Sequence, residues 1–453
     1  MRETLLAAVG RSPAGFTDIR FHRRHGVRIA VRDRQVESTI VWQGTGGVVR
    51  CWSPGHAWGA ASFGDPAELP SALLRAHELS VAVRWRSEHI LPPQAARQIE
   101  AGCPPGRDPG DLADSLKQEV VLNASAALHA TDRRIVESQV RYEDALVETW
   151  VVNSEGSCLV EWRPSIELAA LAVAEEEGTQ ERALGSVGIA GHWPDLEEWV
   201  GSVSHIAGRA VSLLRAVPLQ PGRLPVVLDP ASAGVLAHRA AAHLCHGDGG
   251  EEEGAPVPVG TRLGPPQLSI GDDGTVPGLR GTHGFDHEGL APRNTMLVRN
   301  GVVVEHVHTR TSAALAGMAP TGNARGDWRS APAARLTNTY LGRGQGDLGT
   351  LLRDVALGLY LSDPVAVTLG NGRAGLRGGY ARMIRRGELA EPVRNAVVGG
   401  DTFALFGLID AVAGDFRWDP SAARCSRGGL GTVAVSTGAP HVRLLDAPVG
   451  EPA

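Results

Sequence analysis

The sequence predicts an α+β fold in two parts: an N-terminal α/β region over residues 1–219 and a β-rich C-terminal domain over 220–453. Three observations carry this. Short runs rich in β-branched residues occur along the chain, as strands require. Residues 196–216 place Val200, Val203, Ile206, Ala207, Ala210, Leu213 and Leu214 on one stripe at helical spacing. A Pro/Gly-rich segment at 218–225 separates the halves, and the chain beyond it is richer in glycine and hairpin signals. At 453 residues the chain is long enough for two domains or one large one.

Taken in order, residues 27–31 and 36–41 read as strands. Residues 55–59 (Gly-His-Ala-Trp-Gly) read as a turn between strands, and apolar residues fall at helical spacing over 65–77. The Pro/Gly-rich stretch 103–111 is a loop. Residues 139–143 and 146–152 are strand-like, closed by the turn Asn153-Ser154-Glu155-Gly156. In the second half, Asn300-Gly301 between two apolar runs predicts a hairpin over 296–304, because this pair supplies the positive φ angles of a type I′ turn. Residues 380–384 and 392–398 around Arg386-Gly387 predict another. The acidic run 251–253 is a solvated loop, and no internal repeat is present.

The formal net charge is −6, which predicts no nucleic-acid footprint. Lys117 is the sole lysine; a GC-rich genome accounts for such arginine preference without any special function. Five cysteines, Cys51, Cys103, Cys158, Cys245 and Cys425, are dispersed, odd in number and form no CxxC pair, which favours a reducing compartment. The first residues lack the basic-then-apolar pattern of a signal peptide, and no apolar run is long enough to span a bilayer. These features lead to the expectation of a cytoplasmic protein with no membrane contact.

The most informative local feature is His238 and His243, two imidazoles directly after the strand-like 226–228 and Asp229-Pro230. Successive α-helical residues turn by about 100°, so residues five apart lie about 140° apart. On an undistorted helix these two cannot share a metal; a π-bulge or a helix ending at the second histidine is required. Gly247 and Gly249-Gly250 supply such an ending. His243 and His246, three apart, share a face without distortion. On spacing alone the pair is a weak metal signal, and an Ala-rich helix carrying polar residues on its exposed side is the better account of it.

The run 225–248, with Pro225-Val226-Val227-Leu228-Asp229-Pro230, Ala233-Gly234-Val235-Leu236-Ala237-His238, His243 and Gly247-Asp248, resembles the signature of the TldD/PmbA family. So do residues 55–59 and 153–156 in the first half. In the second, Asp286-His287-Glu288-Gly289, Thr321-Gly322-Asn323-Ala324-Arg325, Arg335-Leu336-Thr337-Asn338-Thr339-Tyr340 and the Cys425 segment follow in family order. Members are known as DNA-gyrase modulators and peptide-processing proteins. The resemblance implies a zinc peptidase with an HExxxH motif, in which His238, His243 and Cys425 are the Zn²⁺ ligands. PmbA-type paralogues (also called TldE) lack the histidines, which places this chain on the TldD side. It also implies a heterodimer with a PmbA/TldE-like subunit, enclosing a small or unfolded peptide that enters as an extended strand.

The chain departs from the pattern at two positions. Arg239 stands where the family has the glutamate that exchanges protons with zinc-bound water, and His246 stands where a second glutamate is found. Arginine accepts no hydrogen bond and stays protonated, so it cannot be that base. Three readings remain open. Catalysis persists with His246 as a relocated base; the site binds a peptide or partner without cutting it; or Arg239 holds a substrate carboxylate or developing oxyanion in an altered reaction. The expected function is zinc-dependent hydrolysis of small or unstructured peptides, in peptide maturation or natural-product tailoring, with an inactive binding subunit as the competitor. Asp286, Glu288, Arg325 and Asn338 are candidates to line a peptide channel, or else satisfy backbone groups at turns and strand ends. Asp248 is a candidate support of the metal ligands.

Overall fold

The computed structural model describes residues 1–84, 91–101, 108–190, 196–249, 255–370, 373–427 and 430–450. The architecture is α+β and dominated by strands. The N-terminal part is one seven-stranded sheet built from β1 (Phe16–Arg32), β2 (Gln35–Trp52), β3 (Trp58–Phe63), β4 (Gln98–Ala101), β5 (Ile135–Asn153), β6 (Cys158–Glu176) and β7 (Thr179–Ala190). Its order is β3-β2-β1-β5-β6-β4, with β7 also on β6, antiparallel except where β4 joins β6. Four helices accompany it: α1 (Arg2–Gly10), α2 (Leu69–Ala82), α3 (Asp114–Thr131) and α4 (Leu196–Leu213).

Side chains alternate across a strand, so each long strand sorts its residues between two faces. One face meets α3 and α4: Ile29 on β1, Val140 and Tyr142 on β5, and Leu168 and Ala170 on β6 pack with Val121, Leu128, Val203 and Ile206. A second cluster joins Ile19, Phe21, Val49 and Phe63 to Leu5, Leu69 and Ala76 of α1 and α2. The alternate positions, His22, Arg24 and Arg28 of β1, Glu143 and Thr149 of β5, and Glu161, Arg163 and Glu167 of β6, face the C-terminal part across a cavity.

Residues 139–143 and 146–152 form one continuous strand rather than two. The charged residue between them, Asp144, is not a break. It is buried, forms an ion pair with Lys117 Nζ at 2.7 Å, and accepts hydrogen bonds from Tyr142 Oη and from the Val27 amide. The single lysine therefore sits in the core of the N-terminal part.

The segment 218–225 is also less of a linker than its composition suggests, because the strand Gly222–Leu228 starts inside it. That strand pairs in parallel with Leu357–Gly370 and antiparallel with Val442–Val449 in an eight-stranded sheet. A six-stranded sheet that includes Ile270–Asp273, Asn338–Leu341 and Ser436–Ala439 shares its hydrophobic core. Both hairpins expected in this half are present, with φ of 51° at Asn300, 77° at Gly301, 53° at Arg386 and 80° at Gly387. Of the expected loops, residues 103–107 and 251–253 lie outside the described residues, and Pro109–Asp111 is a single 3₁₀ turn. No described helix is long and apolar enough to cross a membrane. Cys51, Cys158, Cys245 and Cys425 are buried free thiols.

Candidate metal centre

The strand Gly222–Leu228 delivers the chain directly into helix α5 (Pro230–Leu236). Asp229 caps it by accepting from the Ser232 amide, and Pro230 occupies the first turn, where no intrahelical N–H is needed. The helix then widens. Residues Ala237–Ala241 form a π-turn, in which the Ala242 amide reaches back five residues to the Ala237 carbonyl, and Ala242–Cys245 tighten into a 3₁₀ turn. This is the distortion that a five-residue histidine spacing demands. The wider turn brings the His238 and His243 rings to 5.1 Å between centroids. The path ends at Gly247, where an added Cβ would lie 2.2 Å from the His308 ring, so the tight exit requires glycine.

Cys425 arrives from the opposite side, on the two-stranded hairpin formed by Arg424–Ser426 and Thr432–Ala434. Its Sγ lies 3.3 Å from His243 Nε2. One nitrogen from each of His238 and His243 and the Cys425 sulfur all fall within 4.8 Å of one another, and all three residues are buried. Burial pushes the Cys425 thiol up, but the adjoining His238 and His243 imidazoles outweigh it and hold it well below the ordinary cysteine range.

The orientation of His238 is fixed by a relay. Thr339 Oγ1 donates to Asp272 Oδ1 at 3.1 Å and sits 2.8 Å from His238 Nδ1. With its proton given to Asp272, the hydroxyl accepts from Nδ1–H, which leaves the lone pair of His238 on Nε2. That Nε2 is buried with no hydrogen-bond partner among the described residues. An orphaned basic nitrogen facing a thiolate-prone sulfur and a second imidazole suits a soft divalent cation such as zinc. Burial raises the Asp272 carboxyl, which also accepts from Thr337 and Asn323. Neither Thr339 nor Asp272 is singled out by the sequence as a site residue, although Thr339 lies within the segment 335–340.

Arg239 is half-buried on the π-turn. His246 is fully enclosed, its ring 4.9 Å from that of His243, and neither ring nitrogen has a partner among the described residues. Burial, reinforced by His243, Arg427 and Arg335, pushes it well below the ordinary histidine value, so the ring is neutral. Asp248 pairs with Arg427 at 2.8 Å and accepts from the Ala334 amide, bracing the far end of the turn rather than a metal ligand. Asp286 accepts from the Glu288, Leu290 and Ala324 amides, Glu288 pairs with Arg50, and Asn338 ties Gly281 to Asp273 and Thr282. These contacts are structural. Arg325 donates to the Leu336 and Ala434 carbonyls, and both Arg325 and Asp286 also line the cavity.

Three consecutive family models match the chain: PmbA/TldA metallopeptidase domain 1 over residues 17–81, the central domain over 107–216 and the C-terminal domain over 221–451. The chain belongs to the TldD/PmbA family. A metalloprotease of Synechocystis sp. is 32% identical over 456 residues, spanning 99% of this chain and 98% of its own. A zinc metalloprotease TldD homolog of Saccharolobus solfataricus is 28% identical over 320 residues, 69% of this chain and 70% of that one. The fold is shared with the crystal structure of TldE from Thermococcus kodakarensis, at a TM-score of 0.75 and 16% identity over 99% of each chain. In this TldD/PmbA chain the three matched domains carry the sheet-and-helix part and the metal-site part in the order described above.

Proposed function

We propose that the chain is a TldD-like zinc-dependent peptidase for small or unstructured peptides, acting as one half of a heterodimer with a PmbA/TldE-like subunit. The convergence of His238, His243 and Cys425, with His238 Nε2 held unpartnered between them, is the observation that supports it. Zinc at such a site lowers the pKa of a bound water to about 7 and polarises a carbonyl. The chain's own residues must then move the proton. Arg239 cannot accept it. His246, neutral and with both nitrogens unpartnered, has a lone pair to take one and can return it to a leaving amine. Burial and its positive neighbours depress its basicity below that of an ordinary histidine, which favours a slow peptidase. The positive charge of Arg239 supports a second reading, in which the site binds peptide without cutting.

Co-expression with a PmbA/TldE-like chain and incubation with an unstructured peptide separates the two. The peptidase reading expects hydrolysis that a chelator stops, that zinc restores, and that His246→Ala removes. Stoichiometric binding without any product supports the second reading.

The Thr339 relay gives a further expectation. Thr339→Val keeps the shape and deletes the hydroxyl that holds His238, so zinc affinity should fall about 10–100-fold. Competition against a chromophoric chelator measures this, and an unchanged affinity would remove Thr339 from the site.

A further inference from the structure

Beside the metal centre lies a cavity of about 600 Å³ between the polar face of the N-terminal sheet and the C-terminal part. Arg424, Thr432, Val433 and Ala434 of the Cys425 hairpin form part of its wall, and Val433 is the strand partner of Cys425. Anything filling the cavity is thus within one strand of a metal ligand.

Its charges are unevenly matched. Six arginines and five carboxylates line it, leaving one formal positive charge over. Arg28 is paired with Glu143, and Arg280 and Arg424 share Glu167. Arg163 lies 3.8 Å from Glu161 and donates to the neutral Arg280 carbonyl at 3.0 Å. Arg24 and Arg325 have no carboxylate within ion-pair distance among the described residues. Arg24 instead lies over the Trp328 ring, 4.4 Å from its centroid. Arg325 is 5% exposed, and its two hydrogen bonds go to neutral carbonyls. Burial, with Arg163 and Arg335 nearby, brings its guanidinium down to about 9 against the opposing pull of Asp272 and Cys425. His22 adds a buried Nε2 with no partner among the described residues, its Nδ1 being engaged by Thr149 Oγ1 at 3.1 Å. A desolvated guanidinium is stable only when paired, so the cavity is built for an anion it does not itself contain. One surplus charge suits a monoanion, and a planar guanidinium suits a carboxylate.

We propose that this cavity is a carboxylate subsite, in which Arg24, Arg163 and Arg325 take the negative group of a peptide whose chain runs on along the hairpin to His238, His243 and Cys425. The inference rests on the peptide reading above and adds a preference: peptides with a carboxylate a few residues from the cleaved bond. The carboxylate can be the C-terminus or an acidic side chain.

Binding, rather than cleavage, tests it. The zinc-loaded full chain is titrated calorimetrically with acetyl-trialanine, its C-terminal amide, and the amide of acetyl-Ala-Glu-Ala. A charge-assisted contact predicts that a carboxylate-bearing probe binds roughly tenfold or more tighter than the neutral amide. If only acetyl-trialanine gains, the group is the C-terminus; if the glutamyl amide gains as well, an acidic side chain serves. The gain should shrink in Arg24→Met, a half-buried position unlinked to the metal hairpin, and in Arg325→Met. Equal binding of all three probes, no binding of any, or a gain that survives in both variants would overturn the subsite. Those outcomes leave the peptidase reading to its own chelator and product assay.

Discussion

Replacing Arg239 with glutamate should raise peptide hydrolysis about 10²–10⁴-fold, the usual worth of a positioned general base. The expectation follows from the sequence of the π-turn, where Arg239 directly follows the ligand candidate His238. The family places its proton acceptor at this step. The substitution returns a carboxylate to it and removes a fixed positive charge from a site whose His246 is already held neutral by burial and positive neighbours. Single-turnover assays of the zinc-loaded pair, with and without His246→Ala, separate the alternatives. Gain with Arg239→Glu together with loss with His246→Ala supports the relocated base. Loss with Arg239→Glu would instead mean that the guanidinium grips substrate or an oxyanion, because the same exchange then puts a negative charge where a positive one is needed.

Lys117→Met should destabilise the N-terminal part by about 3–5 kcal/mol, the cost of stranding a buried charge by removing its partner. The Lys117 and Asp144 side chains are 1% and 2% exposed. Tyr142 Oη and the Val27 amide would still donate to Asp144, but no cation would remain at contact distance except by rearrangement. At about 2–4 °C per kcal/mol for a domain of this size, the first melting transition should fall by roughly 10 °C. Lys117→Met with Asp144→Asn should recover part of the loss, since the neutral amide removes the stranded charge and keeps an acceptor oxygen for the donors Tyr142 Oη and the Val27 amide. An unchanged melting curve for Lys117→Met alone would show that the pair contributes nothing to the fold.

How far the sequence announced this structure depended on whether the signal was local. The Asn300-Gly301 hairpin was legible because its turn chemistry is contained in two residues. The distortion around His238 and His243 was legible because a five-residue spacing needs a bulge for both rings to reach one ion, and the chain has a π-turn there. The single strand that joins 139–143 to 146–152 was not legible, because Asp144 within it is buried by pairing with Lys117, 27 positions earlier in the chain, which no local pattern carries. The strand starting at Gly222 was hidden by the prolines around it, which a chain entering a sheet at its end tolerates. The least legible feature was the cavity. Its arginines come from β1, β6 and three separated loops or hairpins of the C-terminal part, each unremarkable by itself. Thr339 and Asp272 were invisible for the same reason, being 67 positions apart and joined only through the sheet.

Whether His238, His243 and Cys425 hold one zinc ion is decided by zinc K-edge X-ray absorption on the purified chain, with elemental analysis of the same sample. Expected are about one zinc per chain, a shell of two nitrogens at roughly 2.0–2.1 Å and one sulfur at about 2.3 Å, and loss of the sulfur contribution in Cys425→Ser. No bound zinc after reconstitution, or a first shell without sulfur, would contradict it.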